Sequence, residues 1–173
     1  MQMKNHQMKA YNKRVSLRLC SSEQKALRHL MRKHIYREIQ TGWGIHITIT
    51  CIAYEKSHYP GQMVDAHPCL FLSTSSAFQQ SWDSGFLVQL LESCQHGLQL
   101  IEAELCEKRS EPTVIEINEI GIIFTDFQIE GVGYAIAEWI IEEYNLEIEL
   151  PAVKFDKLNN YYIYPYAISN NGD

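Results

Sequence analysis

Nothing in this 173-residue chain approaches the roughly 20 consecutive apolar residues needed to cross a bilayer; its longest apolar runs, such as 120–124, are far shorter. Residues 1–14 are polar and basic and lack the apolar stretch of a signal peptide. Membrane association and export by that route are therefore not expected, and the expected compartment is the cytoplasm. Only five prolines and nine glycines are present, with no repeat or low-complexity tract. That usage excludes collagen-like and Pro/Gly-rich disordered classes. The five cysteines, Cys20, Cys51, Cys69, Cys94 and Cys106, are odd in number and dispersed, so a reduced set sitting largely in a core is expected rather than a disulfide frame.

The charge that is present is sorted by position. Residues 1–40 hold ten Lys/Arg against two acids, and residues 102–157 hold four against fourteen, so the net charge of −6 hides a basic beginning and an acidic second half.

Hydrophobic periodicity supplies the elements. Val15, Leu17 and Leu19 alternate as in a short strand. Ser21 and Gln24 match a capping box ahead of an amphipathic helix over 22–39, with Leu27, Leu30, Met31, Ile35 and Ile39 at three- and four-residue steps. Residues 45–54 alternate as a half-buried strand, and 69–72 form a brief apolar one. A helix is predicted over 85–107 through Leu87, Leu90, Leu91, Cys94, Leu98, Ile101 and Leu105, and 108–112 is a loop. Strands follow at 113–117 and 121–125, parted by a bulge or turn at Asn118-Glu119. A third helix covers 131–144, and short strands are predicted at 146–150, 153–155 and 161–167, the last at an edge because of Pro165. The fold expected is a single α+β domain over 14–168, a mostly antiparallel or mixed sheet of five to seven strands with about three helices packed on it. Residues 1–13 would be a flexible basic tail and 169–173 a flexible C-terminal one.

Three functional readings follow from these elements. On the helix at 131–144, Glu138, Glu142 and Glu143 lie close together with no Lys or Arg in the helix to answer them, and Glu142 and Glu143 sit in the last turn, where the helix dipole disfavours negative charge. Glu147 and Glu149 extend the run. Tyr162 and Tyr164 share a strand face and could serve as aromatic anchors. The leading expectation is a non-enzymatic protein-binding module of adaptor, inhibitor or immunity type, with these residues covering a basic partner. Alternatively, the face of helix 22–39 carrying Lys25, Arg28, Arg32 and Lys33 binds nucleic acid, against the overall acidity of the chain.

The third reading is a small enzyme. His46 and Thr48, two apart on a strand, share a side, as proton transfer and oxygen binding at a phosphate require. His46-Ile47-Thr48 resembles one half of the paired His-x-Thr/Ser signature of the two-histidine phosphoesterases. None of the other six histidines is followed two residues later by Ser or Thr. The pairs His67/Cys69 and Cys94/His96 lack the usual two- to four-residue gap of a zinc site. Gly131-Val132-Gly133 has neither a third fingerprint glycine nor a Walker lysine, so neither metal nor cofactor is expected.

Overall fold

The longest strand forms where β-branched residues are densest. In the computed structural model, which describes residues 31–40, 43–67 and 69–166, with backbone only for 64–67, strand β2 spans Trp43–Glu55. Its alternation sends Ile45, Ile47, Ile49 and Cys51 into the core. Strand β1 (Arg32–Gln40) precedes it, and β3 (Val64–His67), β4 (Leu70–Thr74) and β5 (Thr113–Ile122) complete a mixed sheet in the order β1-β2-β5-β4-β3. All neighbours are antiparallel except β4 and β5, which run parallel. A parallel pair needs a long crossover; here it is α1 (Ser76–Gln80), α2 (Ser84–Gln99) and α3 (Glu102–Lys108). Helix α4 (Glu130–Tyr144) follows β5, and β6 (Lys154–Asp156) pairs with β7 (Tyr161–Ile163) in a separate ribbon. The fold is α+β.

The structure corrects the helix expected over 22–39. Its first part lies outside the described residues, and Arg32–Gln40 is strand β1, paired with β2 from Arg32↔Cys51 to Gln40↔Trp43. Ile35 and Ile39 are four apart, a spacing that puts two residues on one face of a strand as well as of a helix. Cross-strand pairing decides between the two. The expected helix over 85–107 is broken at Leu100 and Ile101, whose N–H groups bond three residues back to Gly97 and Leu98 as the turn tightens. The strands expected at 113–117 and 121–125 merge into one that ends at Ile122, with a turn at Phe124–Asp126 in place of the rest, and the register jump from Thr50↔Glu119 to Cys51↔Ile117 leaves Asn118 as the bulged residue. Residues 146–150, expected as a strand, have no regular structure.

Helices α2 and α4 meet through their smallest residues. Ser93 Oγ donates to the Ile129 carbonyl at 2.6 Å and accepts the Gly133 N–H at 3.1 Å. One turn on, a Cβ at Gly97 would overlap the Gly133 backbone, and one at Gly133 would overlap the Ser93 carbonyl. The glycines at 131 and 133 thus serve close packing.

The cysteines depart from the reduced set expected. Cys51 and Cys94 are buried free thiols, burial pushing both up and Cys94 to about 12, but Cys69 and Cys106 form a disulfide that ties α3 to the start of β4. Cys20, like the tails at 1–13 and 169–173, lies outside the described residues.

The tyrosine-rich end is a fastening. Gln128 imitates a backbone partner, accepting the Tyr162 N–H at 2.8 Å and donating to its carbonyl at 3.0 Å. The Tyr162 hydroxyl accepts the Gln40 N–H at 2.8 Å and donates to the Trp43 carbonyl at 3.0 Å, bridging the facing ends of β1 and β2. Tyr164 packs edge-on against Tyr134 and accepts from the Tyr36 hydroxyl at 3.3 Å. Both Tyr162 and Tyr164 are buried, so neither is the exposed aromatic anchor expected from the sequence.

Candidate functional site

Strand β1 lies at the sheet edge and carries polar residues on both faces. Its inward set, His34, Tyr36, Glu38 and Gln40, is buried or half-buried, and its outward set, Lys33, Ile35, Arg37 and Ile39, is exposed.

The inward set meets the acids of α4. Arg32 Nη1 pairs with Glu143 at 2.7 Å. The His34 ring lies between two carboxylates one helical turn apart, with Nε2 at 2.8 Å from Glu138 and Nδ1 at 3.2 Å from Glu142, its side chain only 10% exposed. At the end of α4, which Asn145 terminates in the left-handed conformation, the Lys108 ammonium donates to the Asn145 carbonyl. Cations thus answer the unfavourable end of the helix dipole. The acids expected to face a basic partner are engaged within the fold, apart from Glu147 and Glu149, which are exposed.

This arrangement makes stability depend on pH. Burial is the largest single influence on His34 and lowers its pKa, but hydrogen bonds and Coulombic attraction to Glu138 and Glu142 together outweigh it and raise the pKa above 6.5. A group whose folded pKa is raised stabilises fully below its unfolded value and loses that contribution as pH climbs through the folded one. The excess melting temperature of the native chain over His34→Gln will therefore be greatest below pH 6.5 and shrink as pH rises above it. Thermal melts of both chains in matched buffers measure the difference, and an excess that grows with pH contradicts the assignment.

The outward set opens onto solvent. Register places Arg37 beside His46, Ile35 beside Thr48 and Ile39 beside Gly44, so His46 and Thr48 do share a face. Arg37 Nε donates to His46 Nδ1 at 3.3 Å, so Nδ1 is the acceptor of the ring and Nε2 its N–H donor. Arg37, Ile39, Trp43, Gly44, His46 and Asp126 line a cleft of about 420 Å³. Trp43 is held by its indole N–H on the Thr125 carbonyl at 2.9 Å and by ring contact with Tyr162 at 5.2 Å. The turn at Phe124–Asp126 borders the cleft, and the apolar groups around it are bare: Ile39 is 71% and Phe124 77% exposed.

Of the basic residues expected to bind nucleic acid, Lys25 and Arg28 lie outside the described residues. Arg32 is spent on Glu143, and Lys33 stands on a strand, so the helical face expected across 22–39 does not continue through them. Cys69 is in the disulfide and His96 lies against Tyr166, and among the described residues no three His, Cys, Asp or Glu converge as metal ligands. No described helix is long and apolar enough to cross a membrane. Sequence reading missed Arg37, Ile39, Trp43 and Asp126 as a group. The available signal was Thr41-Gly42 ahead of an alternating strand, a hairpin cue. No protein-family model matches the chain, and no curated protein matches it.

Proposed function

We propose that this protein is a non-enzymatic protein-binding module whose contact surface is the open face of the sheet at β1 and β2 together with the turn at Phe124–Asp126. The chief support is the exposure of Ile39 and Phe124 around a cleft whose other walls are fixed by hydrogen bonds. Bare apolar side chains scattered singly need no explanation, but grouped around a preorganised cleft with a polar rim they mark interaction surfaces. Nucleophilic chemistry has less support, since both described free thiols are buried and His46-x-Thr48 has no second copy in the sequence. Glu147 and Glu149 remain exposed, and a basic contact there would be an addition to this surface.

Affinity capture from extract of the cells that express the protein tests the reading. Phe124→Asp and Ile39→Asp should each weaken retention of a captured partner by about 30-fold, the factor for a 2 kcal/mol interface residue. Melting temperature should hardly move, because both side chains are exposed. Retention that survives both changes but falls with Glu147→Lys and Glu149→Lys would transfer the interface to the acidic segment.

A further inference from the structure

Resting on that reading, we infer that the cleft recognises a carboxylate of the partner polypeptide, seated on Arg37 and His46, with an adjoining apolar side chain against Trp43 and Ile39. Three arginines are described, and two have acids: Arg32 pairs with Glu143, and Arg109 with Glu55 at 3.2 Å. Arg37 is the exception. Among the described residues no carboxylate lies within ion-pair distance of it, although the chain carries 21 acids to 15 Lys/Arg. Its Nε instead donates to the imidazole of His46. That bond orients the guanidinium, and among the described residues its two terminal nitrogens and the His46 Nε2 beside them have no hydrogen-bond partner. A planar fork held this way matches an oxygen pair bidentately.

The other walls select among anions. Asp126 lines the same cleft and repels a second negative charge, so a singly charged carboxylate fits better than a doubly charged phosphate. The cleft opens onto a sheet face where Ile35 and Ile123 are also exposed, which suits a chain lying across the surface more than a small molecule enclosed in it. Trp43 is already clamped by Thr125 and Tyr162, so little side-chain entropy remains to be lost on contact.

The test is nuclear magnetic resonance of the full-length protein, following the Trp43 indole N–H and the Arg37 Nε–H during titration. Four probes are used: the capped peptide acetyl-Ala-Glu-Leu-Ala-amide, its Gln counterpart, the Gln peptide with a free C-terminal carboxylate, and inorganic phosphate. Saturable shifts are expected with a carboxylate peptide, at least tenfold weaker with the capped Gln peptide and with Arg37→Gln, and intermediate with Arg37→Lys, which keeps the charge without the fork. Comparison of the first and third probes assigns the carboxylate to a side chain or to a chain terminus. Equal response to the capped Gln peptide, a stronger response to inorganic phosphate, or no response to either carboxylate overturns the inference. Partner capture by Phe124→Asp decides the underlying docking face separately, whichever of these results is obtained.

Discussion

Gly97→Ala will destabilise the protein by about 3 kcal/mol, the upper end of what overpacking costs, and will lower the melting temperature by roughly 6–12 °C for a chain of this size. The cause is local and backbone-bound. A Cβ at Gly97 would overlap the carbonyl of Gly133 on the facing helix, and neither group is the flexible end of a side chain that could turn aside. Relief requires α2 and α4 to separate, which loosens the Ser93 hydrogen bonds to Ile129 and Gly133 as well. Gly85→Ala is the control. Its added Cβ meets only the Asp83 carboxylate at ordinary contact distance, at the start of the same helix, so the change should be neutral or slightly stabilising. Equal melting temperatures for the two variants would mean the helices do not approach as described.

Loss of the Cys69–Cys106 disulfide will cost about 4 kcal/mol, as expected for closing a loop of 37 residues in the unfolded chain. Denaturant unfolding with and without reductant, and of Cys69→Ser, measures it. Peptide mapping after alkylation under denaturing, non-reducing conditions should find Cys51 and Cys94 modified and Cys69 and Cys106 protected. Alkylation of all four without reductant would return the chain to the reduced state expected from the sequence. The bond matters to architecture because α3 is seven residues long and buries a single side chain, Leu105, against the rest. A helix so short draws little stability from its own hydrogen bonds.

Much of the core was legible in the sequence because burial there follows simple periods. Ile45, Ile47, Ile49 and Cys51 alternate, and Leu90, Cys94 and Leu98 recur at helical steps, so strand β2 and helix α2 could be read directly, whereas α1 and the break before α3 could not. Asn118 was legible as an irregularity, though local sequence does not say whether a polar interruption ends a strand or bulges it. Strand β1 was not legible. Its inward residues are His34, Tyr36, Glu38 and Gln40, which periodicity counts as polar; they become interior only because Glu138, Glu142 and the Tyr162 hydroxyl arrive from more than 100 residues away. The candidate site was hidden for the same reason. Arg37 and His46 are neighbours by hairpin register, whereas Asp126 joins them from a turn after β5.

The long-range ties of β1 also bear on the order of folding. Arg32, His34 and Gln40 find their partners 111, 104 and 122 residues further along the chain. During synthesis the β1–β2 hairpin emerges before α4 and Tyr162, with Arg32 and His34 unanswered and its two ends unbridged. Only after α4 and then Tyr162 have left the ribosome can the first described strand take its final place. This edge of the sheet thus waits for the end of the described chain, and contacts of such long sequence separation slow folding relative to local ones.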